Sequence, residues 1–195
     1  MEKNSKALNT ALLLMDIQPA TMGMLGESAP AFAVGVKKVL AAARKNNLLV
    51  LHIVVGFRPG FPEITAATTN ASFAALRANA AAMPGLENPA PDPSIEAQPN
   101  EMVITKRRVS AFAGSDLEVI LRGHKIEHLV LTGIATSGVV LSTLRQAADM
   151  DYRLSVLSDL CADRDPEVHN VLLNKVFPRQ AEVLTTDQWI TGLAG

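Results

Sequence analysis

The sequence predicts an α/β fold, a three-layer, doubly wound parallel sheet with helices on both faces. Three observations point there. Short, wholly apolar runs recur along the 195-residue chain, stretches of helical amphipathic periodicity fall between them, and turn-forming residues separate the two. A strand apolar on both faces needs cover on both, which a parallel sheet between helical layers supplies. Strand and helix in alternation build that arrangement.

The elements follow in order. Residues 11–17 (ALLLMDI) read as the first strand, with no polar residue before Asp16. Phe32, Val36, Val39, Leu40 and Ala43 then form one helical stripe. Residues 48–55 (LLVLHIVV) read as the second strand and residues 102–105 as the third. Ser115 and Glu118 have the spacing of a capping box, with Leu117, Ile120 and Leu121 facing inward and Gly123 as a stop. Residues 128–134 (HLVLTGI) make the fourth strand, and Val140, Leu144 and Ala147 or Ala148 share a face of the helix after it. Residues 153–158 make the fifth. Asp165 and Pro166 form an N-cap and first-turn pair, opening a helix with the stripe Val168, Val171, Leu172 and Val176. Residues 181–185 close the sheet as a sixth strand.

One stretch breaks the rhythm. Residues 56–100 hold seven of the eleven prolines and an alanine-rich patch, 71–82, that reads as a helix around Phe73 and Leu76. Connections this long usually serve a function. The expectation is a single domain over 1–195 with an insertion at about 56–100 that walls one side of a pocket. A surface excursion is the alternative.

Composition narrows the function. The chain has 48% hydrophobic and 19% charged residues and a formal net charge of −1, and its longest cationic run is Lys106-Arg107-Arg108. That argues against nucleic acid or an anionic membrane as the main partner. No apolar run approaches a membrane span, and the polar residues 1–10 lack the apolar core of a secretory signal. The lone cysteine, Cys161, excludes an intramolecular disulfide and a CxxC motif. A cytoplasmic location is the default expectation.

In an open α/β sheet, ligands bind beyond the carboxyl ends of the strands, near the point where strand order reverses. The polar residues ending the apolar runs are therefore the candidates. Asp16 and Gln18 follow the first strand, Lys106 the third, Thr136, Ser137 and Gly138 the fourth, and Asp159 and Cys161 the fifth. The free N–H groups of the helix beginning at Thr136 suit an oxyanion. An ammonium at Lys106 favours an ionised Asp16, whereas burial favours the protonated, proton-donating form. A purely structural ion pair is an equal alternative. Cys161 reads as a small buried thiol, His52 as a satisfied core residue, and His169 as a surface or helix-end residue. Ser137 and Ser142 have no evident histidine base. Phe57 and Phe61 fit either the core or a pocket wall.

Four blocks in order carry a resemblance. Residues 14–18 (LMDIQ) are similar to the opening D-x-Q motif of the isochorismatase-like (cysteine hydrolase) family. Residues 105–117 (TKRRVSAFAGSDL) resemble its lysine motif, residues 131–136 (LTGIAT) with Val140 and Thr143 its G-x-x-T-x-x-C-V-x-x-T segment, and residues 158–162 (SDLCA) its later Asp-Ala-x-Ala strand end. The resemblance implies a Rossmann-like sheet of order 3-2-1-4-5-6. It implies Asp16 as general acid/base and Lys106 as its electrostatic partner. Gln18, Phe112, Ala135, Thr136 and Val139 would then contact substrate, with a non-proline cis peptide at Ile134–Ala135 shaping the oxyanion site. The implied partners are a small-molecule substrate and further copies of the chain, as a homodimer or homotetramer.

The sequence departs from the family pattern at one position. Counted from Thr136, the family's nucleophilic cysteine corresponds to Val139, which has no nucleophilic atom. An acyl-enzyme route needs that atom. The nicotinamidases' metal motif, an Asp and two His after the second strand, is missing from residues 52–60 (HIVVGFRPG), so neither a metal nor another cofactor is expected. Some relatives acting on isochorismate or similar vinyl ethers also lack the cysteine. For them the resemblance implies acid catalysis, in which the aspartic acid protonates the enol-ether carbon and water attacks the cation. The expected function is therefore hydrolysis by Asp16 and Lys106. The alternative is a catalytically inactive member that binds small molecules or serves as an assembly subunit.

Overall fold

Strand β1 (Thr10–Met15) is buried along its whole length and lies at the centre of the sheet. The computed structural model describes residues 9–80 and 85–193; the polar residues 1–8, and Ala81 and Ala82 of the alanine-rich patch, lie outside them. Around β1 are β2 (Leu49–Val55), β3 (Met102–Lys106), β4 (His128–Ile134), β5 (Arg153–Ala162) and β6 (Glu182–Leu184). All pairings are parallel, in the expected order β3-β2-β1-β4-β5-β6. Strand order reverses between β1 and β4, so their carboxyl ends frame the crevice.

The α-helices longer than one turn are α1 (Ala29–Lys45), α2 (Ala71–Ala78), α3 (Leu117–Gly123), α4 (Leu141–Asp149), α5 (Pro166–Val171) and α6 (Thr186–Leu193). Successive β1 side chains point to opposite faces, and each face has its own core. Leu12 and Leu14 pack with Val36, Val39, Leu40 and Ala43 of α1 and Trp189 of α6. Ala11, Leu13 and Met15 pack with Leu117 and Leu121 of α3, Leu144 and Ala147 of α4, and Leu172 beyond α5. Each fully buried leucine stabilises the fold by roughly 1.5–3 kcal/mol, which makes β1 the strand that joins both layers.

Three local expectations need correction. Ser115 and Glu118 form no capping box: Asp116 precedes α3, the Ser115 hydroxyl donates to the Ala111 carbonyl (2.6 Å), and Glu118 pairs with Arg122 one turn on (2.7 Å). The stripe on α5 is only half buried, with Val168 and Val171 38% and 42% exposed. The helix continues as a π-turn, Leu172–Val176. That wider turn shifts the phase, so Leu172 of the expected stripe faces inward together with Leu173, while Val168 and Val171 do not. Strand β5 runs to Ala162, and a register shift against β4 sets Cys161 beside Gly133.

The segment between β2 and β3 has a small core of its own. Phe57, Ile64, Phe73 and Leu86 pack together, with Phe57 and Phe73 edge to face at 6.1 Å between ring centroids. The Asn70 side chain caps α2 by accepting from the Ser72 and Phe73 N–H groups. Two backbone bonds anchor the segment to the sheet end: Gly56 N–H to the Lys106 carbonyl (3.3 Å) and Asp92 N–H to the Ile17 carbonyl (2.9 Å).

Candidate active site

Asp16 is the first residue past β1, and its backbone takes the left-handed conformation (φ 54°). Aspartate tolerates that region better than most residues, and its occupation marks a constrained position. The turn is held at both ends. Asp16 N–H donates to the Ile53 carbonyl (2.8 Å), and the Thr21 hydroxyl donates to the Asp16 carbonyl.

Lys106 ends β3, and β2 lies between it and β1. Two strand spacings make about 10 Å, so only a long side chain crossing the end of β2 can reach Asp16. It does: Lys106 Nζ lies 3.0 Å from Asp16 Oδ2 and also donates to the Arg108 carbonyl (2.9 Å). Both residues are buried, and Asp16 Oδ1 has no hydrogen-bond partner among the described residues. Burial pushes the Asp16 carboxyl above its ordinary 3.8, and the charge and hydrogen bond of Lys106 oppose this without reversing it. Of the two effects weighed from the sequence, desolvation prevails.

Gln18 is close by but differently employed. Its Oε1 accepts from Val55 N–H (2.8 Å) and its Nε2 donates to the Val55 carbonyl (3.2 Å). Both ends of the side chain thus clamp the end of β2. Phe112 also departs from expectation. The loop before α3 docks on α4, with Ala111 N–H donating to Thr143 Oγ1 (2.9 Å) and the Ser110 hydroxyl to Gln146 Oε1 (2.7 Å). That sends the Phe112 ring into the core, stacked on Tyr152 (6.3 Å, 27°), which precedes β5 at the other end of the sheet from Asp16.

Beyond β4, the Ile134–Ala135 peptide is cis, as expected. The chain then forms a π-turn, Thr136–Val140, leading into α4. Two contacts hold this turn that sequence reading missed. The fully buried Thr136 hydroxyl lies 2.8 Å from His169 Nδ1 on α5, and Ser137 N–H donates to Asp163 Oδ2 (2.7 Å). Val139 is 2% exposed, with its side chain in the apolar core.

The remaining candidates have structural roles. Asp159 caps α6, accepting from Thr186 N–H (2.8 Å) and its hydroxyl (3.0 Å). Cys161 is buried, and burial pushes its thiol up to about 12. His52, in the middle of β2, lies 2.9 Å from Glu101 Oε2, which Arg44 also engages. Among the described residues, no group of three or more His, Cys, Asp or Glu is placed to hold a metal, and no helix is long and apolar enough to cross a membrane.

A buried, mostly desolvated carboxyl on a lysine, at the switch point of a 3-2-1-4-5-6 sheet, is the arrangement the four sequence blocks implied. Residues 10–188 match the isochorismatase domain, and the chain belongs to that family of hydrolases. It is 30% identical to the isochorismatase family protein YecD of Escherichia coli O157:H7, over 99% of this chain and 100% of that one. It is 31% identical to the ureidoacrylate amidohydrolase RutB of Variovorax paradoxus, over 78% of this chain and 68% of the relative. Among solved structures, an isochorismatase family protein from Burkholderia thailandensis superposes with a TM-score of 0.82 at 26% identity, covering 96% of this chain and 97% of that one.

Proposed function

We propose that this chain hydrolyses a small organic substrate by acid catalysis from Asp16 with Lys106, and that a vinyl ether is the substrate type the site fits best. The carrying observation is the asymmetry of the Asp16 carboxyl. Lys106 donates to Oδ2, which leaves the proton to Oδ1, the oxygen without a partner among the described residues. Burial raises the carboxyl's affinity for that proton. The result is a proton donor whose conjugate base already faces an ammonium, so donation generates a carboxylate beside its counter-charge.

In the reaction, the Oδ1 proton forms a new C–H bond at the enol-ether carbon, and the alkene electrons leave an oxocarbenium ion. Water adds to that cation and returns a proton to Asp16. That return regenerates the acid, and the hemiketal then collapses to a carbonyl compound and an alcohol as its hydroxyl proton passes to the departing oxygen. One vinyl ether and one water become two products, and no thiol is required. In this reading Ala135, Thr136 and Val139 face the substrate through their backbone, since the Val139 side chain lies in the apolar core. Gln18 acts indirectly, by fixing the end of β2.

An amide-cleaving route, such as the name of the RutB relative suggests, needs a nucleophile. Val139 has none, and Cys161 is a buried thiol pushed up to about 12. A second reading, a binding or assembly subunit without catalysis, draws on the burial of the Val139 side chain in the apolar core. Assembly as a homodimer or homotetramer is part of the same proposal and follows from the family resemblance, with a cytoplasmic location as its default setting.

The test is product release from a panel of vinyl ethers by the wild-type protein and by Asp16→Asn. The amide cannot donate the proton, so turnover is expected to fall by ~10²–10⁴-fold. Undiminished activity in Asp16→Asn would remove the carboxyl from the mechanism. A wild-type protein inert across the panel would favour the binding subunit.

A further inference from the structure

We propose that the arginine-rich base of the β2–β3 segment is an anion-binding subsite, and that Arg108 there receives a carboxylate group of the ligand. The inference deepens, and rests on, the placement of the active site at Asp16 and Lys106.

Positive charge is concentrated at this corner of a chain whose formal net charge is −1. Lys106, Arg107, Arg108 and Arg58 lie here with only two carboxylates, Asp16 and Glu63, for partners among the described residues. Asp16 is already biased towards its neutral form by burial. Glu63 is shared: Arg58 Nη1 lies 2.8 Å and Arg107 Nε 3.6 Å from the same Oε1. Arg107 is further fixed by donating to the Gly56 carbonyl.

Arg108 has no such counter-charge. Among the described residues its guanidinium meets only neutral groups. It donates to the Arg107 carbonyl (2.7 Å) and the Glu63 carbonyl (3.0 Å), and it lies 5.3 Å over the Phe73 ring. Arginine carries five N–H donors in a fixed fork, and these two bonds leave most of them for a ligand. The side chain is half-buried, so part of its hydration is already lost, and carbonyl dipoles and a ring face replace a counter-ion only in part. The same contacts hold the fork in one orientation, so little side-chain entropy remains to be lost when an anion docks. A planar carboxylate is the partner such a fork matches.

Its place in the fold ties this subsite to the catalytic pair. A single ammonium, Lys106 Nζ, bridges Asp16 Oδ2 and the Arg108 carbonyl. In this proposal the carboxylate of a small organic acid sits on the Arg108 guanidinium and its reacting carbon at Asp16. The residues of the β2–β3 segment that hold Arg108, Glu63 and Phe73, would then give that segment its function.

Binding of simple probes tests this without knowledge of the substrate. Acrylate and fumarate would be titrated by calorimetry and thermal shift at constant ionic strength in chloride, with acrylamide as the uncharged match. Saturable binding of the acids, and none of acrylamide, is expected. Arg108→Met should weaken acid binding by about tenfold or more, with Arg108→Lys intermediate. Should Arg108→Met fail to fold, Arg108→Gln keeps two donors without the charge and is expected to bind as weakly. Asp16→Asn should bind the acids as well as the wild type, because Asp16 pairs with Lys106 and not with Arg108. Loss of turnover with retained acid binding thus separates failure of the acid mechanism from failure of the subsite. Acid binding that matches acrylamide, or that is unchanged when Arg108 loses its charge, overturns the proposal.

Discussion

Gly133 on β4 packs so closely on β1 that a Cβ built there would stand 2.3 Å from the Met15 carbonyl oxygen. Its φ of +147° lies where side-chain-bearing residues are strained. Met15 is the residue before Asp16, so this contact sets where the turn carrying Asp16 begins. Gly133→Ala should cost about 1–3 kcal/mol by overpacking, read as a lower urea midpoint. It should also push Asp16 away from Lys106, so activity should fall by more than the unfolded fraction explains. Gly138→Ala is the control, because the nearest heavy atom to its added Cβ is 3.9 Å away. Equal stability of the two variants would contradict the packing argument.

A second prediction concerns the pH dependence of stability through Asp16. Its folded-state affinity for a proton is raised above that of the unfolded chain, for which 3.8 is the reference. The folded state therefore binds more protons, and the Asp16 contribution is full below 3.8 and lost as pH rises through the folded value. Asp16→Asn has no such titration. Its stability relative to wild type should accordingly increase from acid to neutral pH, measured as the difference in Tm across the series. A gap that shrinks with rising pH would mean that Lys106 holds the carboxyl ionised, and would remove the proton donor from the mechanism.

Acid unfolding should be governed by other groups. Burial, and then the charge of Arg153, push His128 down to about 4 from 6.5, while its Nε2 lies 2.9 Å from the Ser155 hydroxyl. A depressed histidine contributes stability that is full above 6.5 and fades as pH falls towards 4. Burial alone would raise Glu101, but bonds from Arg44, the Gln98 N–H and His52 outweigh it and hold the carboxyl at about 2. That contribution persists above 4.5 and is lost towards 2. His128→Asn should flatten the upper part of the stability–pH curve and Glu101→Gln the lower part, as followed by denaturant titration at fixed pH. An unchanged curve in both variants would mean that neither group governs the acid limb.

The strands are legible in the sequence because each is a short apolar run whose neighbours along the chain are helical, and Asp16 and Lys106 because they interrupt those runs at the sheet's carboxyl edge. Side-chain destinations are harder to read, for a physical reason. Gln18 clamps Val55 and Thr136 meets His169, pairings 37 and 33 residues apart that no local period encodes. His169 reads as a helix-end residue because it lies just before a π-turn that rotates the face of its helix. Phe112 reads as a pocket residue because its loop folds over α4, a tertiary contact invisible in a stretch that otherwise resembles the lysine motif. The lone signal for His169 is its position within the first turns of a helix opened by Asp165 and Pro166, near a strand end.

The last prediction addresses the position that the family resemblance assigns to the nucleophile. Val139→Cys, made in a Cys161→Ala background, places a thiol in the π-turn after β4 and leaves no other cysteine. Cysteine is smaller than valine, so the loss in stability should be modest. If the side chain at 139 faces the site, a thiol at this helix start is expected to ionise below the usual value of about 8.5. The folded variant should then react with a small alkylating reagent at neutral pH faster than the same chain in urea. The wild type supplies the contrast: Cys161, pushed up to about 12 by burial, should react far more slowly folded than unfolded. If the introduced thiol behaves as Cys161 does, the side chain at that position remains walled into the apolar core, where Val139 is 2% exposed. That outcome would withdraw position 139 from the substrate-facing surface and leave Asp16, Lys106 and the basic corner at Arg108 as the whole of the site.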